Sequence, residues 1–272
     1  MPEGHTIHAL AQRLGVFVGT PVACRSPQGA FAPGAAFLDG RRIDGVEAVG
    51  KNLLVDFGGP VLHVHLGISG SARVRAIGVD LGRGRPRLEC VNPTHWARVW
   101  NPKLCQVLRP EGVRALKARL GPDPLRADAD PDAFIASALR SDEPIGVVLL
   151  DQSVLAGVGN VYRAEVLFRA GIDPFAPASG LGAGHLRRLW DDLVAIMPVG
   201  VVANQIVSAP KDLALVRRRL AAGLEPGPLR AAHLAYERTG WPCGRCGALV
   251  RSRELGGRTL YWCPGCQVER GR

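Results

Sequence analysis

The chain has no long apolar run and no leader-like start. None of its hydrophobic stretches approaches the ~20 residues that a helix needs to cross a bilayer. Its first residues also lack the charged start followed by an apolar segment that marks a secretory signal. These absences argue against a membrane-spanning or secreted protein, and we expect a bacterial cytosolic one.

An acidic excess and a regular cysteine framework are missing as well. The net charge is +10, and residues 211–272 contain 12 basic and 5 acidic side chains. A positive surface attracts phosphate backbones, although excess arginine can also serve solubility. The seven cysteines are an odd number, which disfavours a disulfide scaffold. Cys24, Cys90 and Cys105 have no neighbouring cysteine, so we expect them to be buried as small hydrophobes.

The first part of the chain favours β-structure. Apolar runs at 46–49, 53–57 and 61–66 are separated by glycine-containing turns. Short strands at this spacing favour a β-sandwich or barrel. Lys51 lies in one of those turns, where it is either a functional cation or an ordinary exposed lysine.

The second part favours helices, after a stretch at 121–132 that is rich in Pro, Gly and Asp and suggests a linker. The apolar pattern predicts helices at 131–139, 145–152, 161–170 and 185–197. We therefore predict an α+β protein with domains at 1–120, 133–236 and 237–272. Residues 209–235 are either a surface insertion or a basic contact with DNA.

The N-terminus offers a nucleophile. Removal of Met1, which a small second residue permits, would expose the secondary amine of Pro2. An unperturbed α-amino group has a pKa of about 7.7–8.0, so such an amine is reactive near neutral pH. Glu3 could transfer protons beside it. Apolar residues at helical spacing follow, with Thr6 as a candidate cap, so a helix would hold this reactive end. Many chains begin in this way without using the proline.

Two loops suggest contacts with nucleic acid. The turn before Asn160 would present backbone N–H groups and an amide at a helix N-terminus, where phosphate binds well. Its spacing matches neither a Walker loop nor a Rossmann fingerprint. In the loop at 65–70, Ile68 is flanked by glycines and could act as a wedge between bases. It could equally fold back onto the core.

Near the C-terminus, two C-x-x-C pairs are separated by sixteen residues. This spacing is typical of one structural zinc ion held by four thiolates, with no open position for catalysis. Alternating residues between the pairs predict a hairpin whose tip is near Gly256 and Gly257. Several arginines lie on or beside it, which favours DNA or RNA contact, although zinc ribbons also dock proteins. The ligands would be Cys243, Cys246, Cys263 and Cys266.

Taken together, these motifs resemble the formamidopyrimidine-DNA glycosylase/endonuclease VIII family. The matching features are the Pro-Glu-Gly start, the Gly50-Lys51 turn, the 65–70 loop, the 151–162 stretch, the Gly-Ile-Asp-Pro run at 171–174 and the Tyr-Trp-Cys-Pro-Gly-Cys-Gln ending at 261–267. They occur in the family's order along nearly the whole chain. Only residues 209–235 fall outside the resemblance.

The resemblance implies an N-terminal β-sandwich behind a leading helix, then a helix-two-turn-helix domain with a zinc hairpin. It places the nucleophile on Pro2, the proton-transfer carboxylate on Glu3 and a phosphate-binding lysine on Lys51. Asn160 and Arg258 match the residues that contact the DNA backbone around the damaged nucleotide. Ile68 matches the apolar wedge, and the four cysteines match the zinc ligands.

The activity implied is that of a DNA glycosylase and abasic-site lyase acting on double-stranded DNA in base excision repair, as a monomer. The start and the ending look like the endonuclease VIII branch, in particular its actinobacterial members, which favours oxidised pyrimidines. The sequence at 67–69 lacks the tyrosine of that branch and looks more like the formamidopyrimidine branch. An 8-oxoguanine or formamidopyrimidine specificity and a non-catalytic DNA-binding protein therefore stay open as alternatives.

Overall fold

The computed structural model describes residues 2–79, 84–229 and 232–268. The fate of Met1 and the last four residues of the predicted zinc domain lie outside this range. The chain forms two compact units, Met1–Arg119 and Leu120–Arg272. The finer division, with a linker at 121–132 and a separate domain from 237, stays a prediction.

The first unit contains two antiparallel four-stranded sheets. The elements of this unit are α1 (Gly4–Leu14), β1 (Ala23–Arg25), α2 (Ala32–Leu38), β2 (Gly45–Val49), β3 (Asn52–Asp56), β4 (Val61–His65), β5 (Ser71–Ala76), β6 (Leu88–Val91), β7 (His95–Trp100), β8 (Leu104–Leu108) and α3 (Pro110–Lys117). One sheet has the strand order β2-β3-β4-β8 and the other β1-β6-β7-β5.

Both sheets and α1 share one hydrophobic core, which confirms the predicted sandwich with a leading helix. Leu53 and Val64 reach this core from one sheet and Leu88 from the other. Burying such a side chain stabilises a fold by roughly 1.5–3 kcal/mol. Helix α1 contributes Ile7 and Leu10, which lie on one helical face.

The proposed cap of α1 is wrong by one turn. Glu3, not Thr6, is the residue in extended conformation that precedes the helix. The carbonyl oxygen of Glu3 accepts the backbone N–H of Thr6 at 2.9 Å. The helix therefore starts as early as Gly4, and the two residues with proposed chemistry stand directly at its beginning.

The second unit is helical and ends in a β-hairpin. Its elements are α4 (Pro131–Leu139), α5 (Ile145–Val148), α6 (Asn160–Ala170), α7 (Ala183–Ala203), α8 (Pro210–Ala221), β9 (Arg251–Leu255) and β10 (Arg258–Trp262). Its core includes Phe134, Leu149, Tyr162, Leu193 and Val207. None of the described helices is both long and apolar enough to cross a membrane.

Two predicted helix ends are wrong. Helix α5 stops at Val148 instead of 152. The Asp151 carboxylate accepts the backbone N–H of Ser153 at 2.8 Å, which closes a turn instead of another helical step. Helix α7 runs through Pro198 to Ala203, although an interior proline costs about 3 kcal/mol. Burial of Val201 in the turns beyond Pro198 offsets this cost.

The segment at 209–235, which had no clear role in the sequence, begins with α8. Leu213 and Val216 of that helix belong to the core of the second unit. Arg217 and Arg218 lie on its exposed side. The described part of the segment is thus partly structural, and Arg217 and Arg218 are turned to solvent.

Candidate functional sites

The N-terminal site is built by the first turn of α1. Pro2 is half-buried, and Glu3 has no exposed surface. The backbone N–H groups of a first helical turn carry a partial positive charge, which stabilises a carboxylate beside them. The fold therefore places a buried acid directly after the proposed nucleophile.

His5 adds a neutral side chain to this site. It is buried, and its pKa is lowered to about 3, first by burial and then by the positive amino terminus and His8. The imidazole stays uncharged at neutral pH. It therefore adds no second positive charge near the amino terminus.

Lys51 is presented by the tightest kind of hairpin connection. Val49 and Asn52 are paired, so Gly50 and Lys51 alone make the turn between β2 and β3. Gly50 has φ +58°. A two-residue turn with glycine at its first position suits the twist of an antiparallel pair. The side chain of Lys51 is half-buried.

A chain of neutral hydrogen bonds braces this turn from inside the sheet. Asn52 donates its side-chain N–H to the Val49 carbonyl at 3.1 Å, and its Oδ1 lies 2.9 Å from Nε2 of His63. Nδ1 of His63 is 3.1 Å from the amide nitrogen of Gln106. The pattern requires a neutral imidazole with its proton on Nε2. Burial, followed by the nearby His65, lowers the pKa of His63 to about 4, in agreement.

Lys51 belongs to a small basic cluster at one end of β4. The pKa of His65 is lowered first by burial and then by the charges of Lys103 and Lys51. Both lysines are therefore close enough to His65 to act on its charge. Their fields add at this end of the sheet and favour an anion there.

The loop after β4 presents Ile68 to solvent. This side chain is 58% exposed, whereas Leu66 is only 2% exposed. The Leu66 carbonyl accepts the N–H groups of Gly70 and Lys103 at 3.1 and 3.3 Å. A Cβ on Gly70 would lie 2.2 Å from that same oxygen. The base of the loop is therefore fixed, and the alternative in which Ile68 folds back onto the core does not hold.

These features of the first unit are linked by packing. Helix α1 contacts β2, β3 and β5. Strands β2 and β3 carry the Lys51 turn, and β5 begins directly after the loop of Ile68. The helix that holds Pro2 and Glu3 thus rests on the strands that position the other two residues.

In the second unit, a buried arginine joins Asn160 to the C-terminal hairpin. Asn160 is the first residue of α6 and donates its amide N–H to the Thr259 carbonyl at 2.9 Å. Arg163, one turn later, has no exposed surface. Its guanidinium donates to the Asn160 side-chain oxygen, to the carbonyls of Gly146 and Leu255, each at 3.1 Å, and to that of Thr259 at 3.3 Å.

This bonding fixes the hairpin turn that precedes Arg258. Leu255 and Arg258 are paired across the turn, and both Gly256 and Gly257 have positive φ angles, 63° and 68°. Arg258 is half-buried. Asn160 and Arg258, the proposed contacts to the DNA backbone, are therefore joined through the hydrogen bonds of Arg163.

The four C-terminal cysteines form a cluster that could hold a metal ion, which we call the metal centre. Their Sγ atoms all lie within 4.8 Å of one another. Cys246 and Cys263 are 3.4 Å apart, and Cys243 and Cys266 are 3.8 Å apart. Tetrahedral zinc with Zn–S bonds of ~2.3 Å requires S–S separations near 3.8 Å. A Cβ on Gly265 would lie 2.9 Å from Sγ of Cys246, so this loop also requires glycine.

A second buried side chain of α6 anchors the chain that leads to these cysteines. Glu165 has no exposed surface. One of its oxygens accepts the N–H of Leu234 at 2.7 Å and the Ser208 hydroxyl. The other accepts the N–H groups of Ala235 and Tyr236, each at 2.9 Å.

The sequence patterns did not reveal four of these positions: His63, Lys103, Arg163 and Glu165. Arg163 and Glu165 did carry a signal, because two charged residues interrupt the apolar stretch that begins α6. Their partners, however, lie up to 96 residues away. His63 and Lys103 had no such signal.

Comparison with known proteins shows the family of the chain. The formamidopyrimidine-DNA glycosylase N-terminal domain matches residues 1–114, and the formamidopyrimidine-DNA glycosylase H2TH domain matches residues 120–211. Solved complexes of the Lactococcus lactis formamidopyrimidine-DNA glycosylase with DNA containing an abasic site share the fold. One of them has a TM-score of 0.75 and 23% identity, covering 98% of this chain and 100% of that one.

Curated relatives are similar along most or all of the chain. Endonuclease 8 1 of Mycobacterium tuberculosis is 42% identical over 277 residues, covering 98% of this chain and 100% of the relative. A formamidopyrimidine-DNA glycosylase of Thermus thermophilus is 35% identical, with 86% and 85% covered. With this similarity and the two matching domains, the chain belongs to the formamidopyrimidine-DNA glycosylase/endonuclease VIII family.

Proposed function

We propose that the protein is a bifunctional DNA glycosylase and abasic-site lyase of base excision repair that prefers oxidised pyrimidines. The observation that carries this proposal is the start of α1, where a buried Glu3 follows Pro2. Family membership supplies the reaction class. The role of each residue is the one that the resemblance implies, and its position in the fold supports that role.

The reaction begins when the damaged nucleotide leaves the stack, at a cost of a few kcal/mol. The neutral amine of Pro2 attacks C1′ of the sugar and forms a C–N bond. Glu3 donates a proton to the ring oxygen, the C1′–O4′ bond breaks, and the damaged base leaves with a proton. The resulting iminium makes the C2′ hydrogen acidic, so elimination expels the 3′ phosphate and cuts the strand.

The remaining residues hold the DNA in this proposal. Lys51 and the basic cluster at the end of β4 bind a backbone phosphate near the reacting sugar. Asn160 and Arg258 bind phosphates from the second unit, since the N-terminus of α6 and the hairpin turn both offer donors. Ile68 enters the gap that the flipped nucleotide leaves in the stack. One chain supplies all of these contacts, which supports a protein that acts as a monomer.

We infer that the metal centre binds one zinc ion with a structural role. The four thiolates would complete its coordination and leave no position for water. When bound, zinc supplies only structural cross-linking here. Cys243 and Cys266 connect the chain before β9 to the chain after β10, so the ion keeps the hairpin of Arg258 attached to its base.

The preference for pyrimidines is supported by relatives. The sequence is 42% identical to the mycobacterial endonuclease 8 1 and 35% identical to the Thermus formamidopyrimidine-DNA glycosylase. One observation favours the purine alternative, 8-oxoguanine or formamidopyrimidine. The exposed tip at 67–69 is Gly-Ile-Ser, which resembles the formamidopyrimidine branch.

Borohydride trapping on two duplexes tests both parts of the proposal. One duplex carries an oxidised pyrimidine and the other 8-oxoguanine, and the crosslinked residue is mapped by mass spectrometry. We expect an adduct at Pro2 and more of it on the pyrimidine duplex. Stronger trapping on 8-oxoguanine would reverse the preference and leave the chemistry intact. Binding to both duplexes without any trapping would overturn the glycosylase proposal in favour of non-catalytic DNA binding.

Variants separate the two chemical roles. Pro2→Gly should reduce the trapped adduct sharply. Glu3→Gln should lose base excision, because the protonated ring oxygen is needed for departure of the base, yet retain some cleavage at sites that already lack a base. Glu111→Gln is the matched control, since this carboxylate lies on the exposed surface of α3. Equal loss in Glu111→Gln would show that the effect is not specific to Glu3.

A further inference from the structure

A second basic site lies in the second unit, at the opposite end of α6 from Asn160. It is a pocket of about 650 Å³ between the last turn of α6, helix α7, the start of α8 and the first cysteine loop. Pockets of roughly 300–1,000 Å³ are typical of small-molecule sites. At ~1.5 Å per residue, α6 places Arg169 in this pocket about 13 Å along the helix axis from Asn160.

The pocket has more positive than negative charge. Arg169, Arg188, Arg238 and Arg245 line it, and Asp192 is the single carboxylate among its lining residues. Asp192 is fully engaged by Arg169, with two N–O distances of 2.6 Å. Three arginines therefore have no carboxylate partner within the lining. Arg188 is exposed and forms no ion pair among the described residues.

The two other arginines are held in place by backbone carbonyl groups. These dipoles orient the guanidinium groups and leave their positive charge unneutralised. Arg245 lies 4.6 Å from the centre of the Phe168 ring and donates to the Phe168 and Arg169 carbonyls at 3.2 and 3.4 Å. It thereby covers the negative C-terminal end of α6, which would otherwise repel an anion. Arg238 donates to the Pro242 carbonyl at 2.9 Å.

We propose that this pocket binds a phosphate group carried by a molecule of nucleotide size. Guanidinium groups fixed in advance recognise phosphate well, because little side-chain freedom is lost on binding. Pro210 and Leu234 provide apolar wall beside the arginines, against which a ring can pack. A free nucleotide and a strand of DNA could both supply the phosphate, and the volume of the pocket favours the free nucleotide.

Calorimetry on the full zinc-loaded chain tests the site, with AMP and inorganic phosphate as probes. Arg188→Glu should weaken AMP binding by at least about tenfold, because it replaces an attracting charge with a repelling one. Arg187→Glu is the matched control, since its side chain lies 3.0 Å from Asp191 and is not part of the pocket lining. No binding of either probe, or equal weakening in both variants, would overturn the proposal.

An undamaged duplex distinguishes the two sources of phosphate. If it displaces AMP from the parent protein, the pocket is a DNA contact. If AMP remains bound at saturating duplex, free nucleotides are the ligands. Borohydride trapping with Arg188→Glu should stay within about twofold of Arg187→Glu, so a failure of this proposal is separate from a failure of the glycosylase proposal.

Discussion

Each unit of the protein presents a basic residue at a two-residue hairpin turn, Lys51 within its turn and Arg258 directly after its turn. The two turns are supported by different interactions. The Lys51 turn belongs to a four-stranded sheet and is braced by neutral groups, Asn52, His63 and Gln106. The Arg258 turn belongs to a two-stranded hairpin and is braced by a buried cation, Arg163, and by the cysteine cluster.

The difference follows from how much core each hairpin can use. A sheet of four strands on a shared core is stable by itself, so polar bracing only needs to fix the turn. An isolated two-stranded hairpin is at best marginally stable in water and needs additional support. The second hairpin should therefore be far more sensitive to single substitutions than the first.

Loss of the metal should have the largest effect. Cys263→Ala removes a buried ligand, and structural zinc contributes apparent binding energies on the order of 10 kcal/mol. We expect zinc content to fall from one to near zero per chain and the amides of β9 and β10 to exchange rapidly with deuterium. Cys105→Ala, in the first unit, is the control. A protected hairpin without metal would contradict the zinc-supported view.

Removal of the buried cation should come next. Arg163→Met removes the charged donor shared by the carbonyls of Gly146 and Leu255, at a cost of about 2–4 kcal/mol in urea unfolding. Zinc content should stay at one per chain, which separates this effect from metal loss. Arg251→Met, on the exposed surface of β9, should change stability by less than about 0.5 kcal/mol. Equal effects from both would remove the special role of Arg163.

The neutral brace of the first hairpin should appear as a dependence on pH. The native pKa of His63 is lowered to about 4 from an ordinary 6.5, so the unfolded chain binds more protons between these values. Stability is therefore full above pH 6.5 and falls as pH decreases towards 4, by roughly 1–2 kcal/mol after allowance for partial solvation. Urea midpoints for the parent and His63→Gln should differ most at pH 7 and converge near pH 4. A constant difference would contradict a neutral brace.

The sequence predicted what depends on near neighbours. Helix α4 has the predicted bounds, and the sandwich and the hairpin with its four-cysteine cluster follow from alternation, turns and cysteine spacing. It missed the braces, because His63 meets Gln106 across 43 positions and Arg163 meets Leu255 across 92. A pattern within one segment holds no information about such pairs. The end of α7 was missed for a related reason, since packing of Val199 in the core of the second unit outweighs the local effect of Pro198.

The smallest effect on stability should come from the exposed loop of the first unit. Ile68→Ala should change the free energy of unfolding by less than about 0.5 kcal/mol, because the side chain already lies in solvent. Trapping on damaged duplex should nevertheless decrease if the side chain fills the gap in the stack. Ile77→Ala is the control, since that isoleucine is 51% exposed in the same unit. Equal trapping by both variants would remove Ile68 from the proposed interface.

The carboxylate of Glu165 has a consequence for how this family member can change. By accepting the backbone N–H groups of three successive residues, 234–236, it fixes where the chain packs against α6. The C-terminal end of the connection that follows α8 is therefore held by Glu165. Insertions there would leave the cysteine loops in register, which makes this connection a natural place for new sequence to be acquired or for a reporter to be grafted.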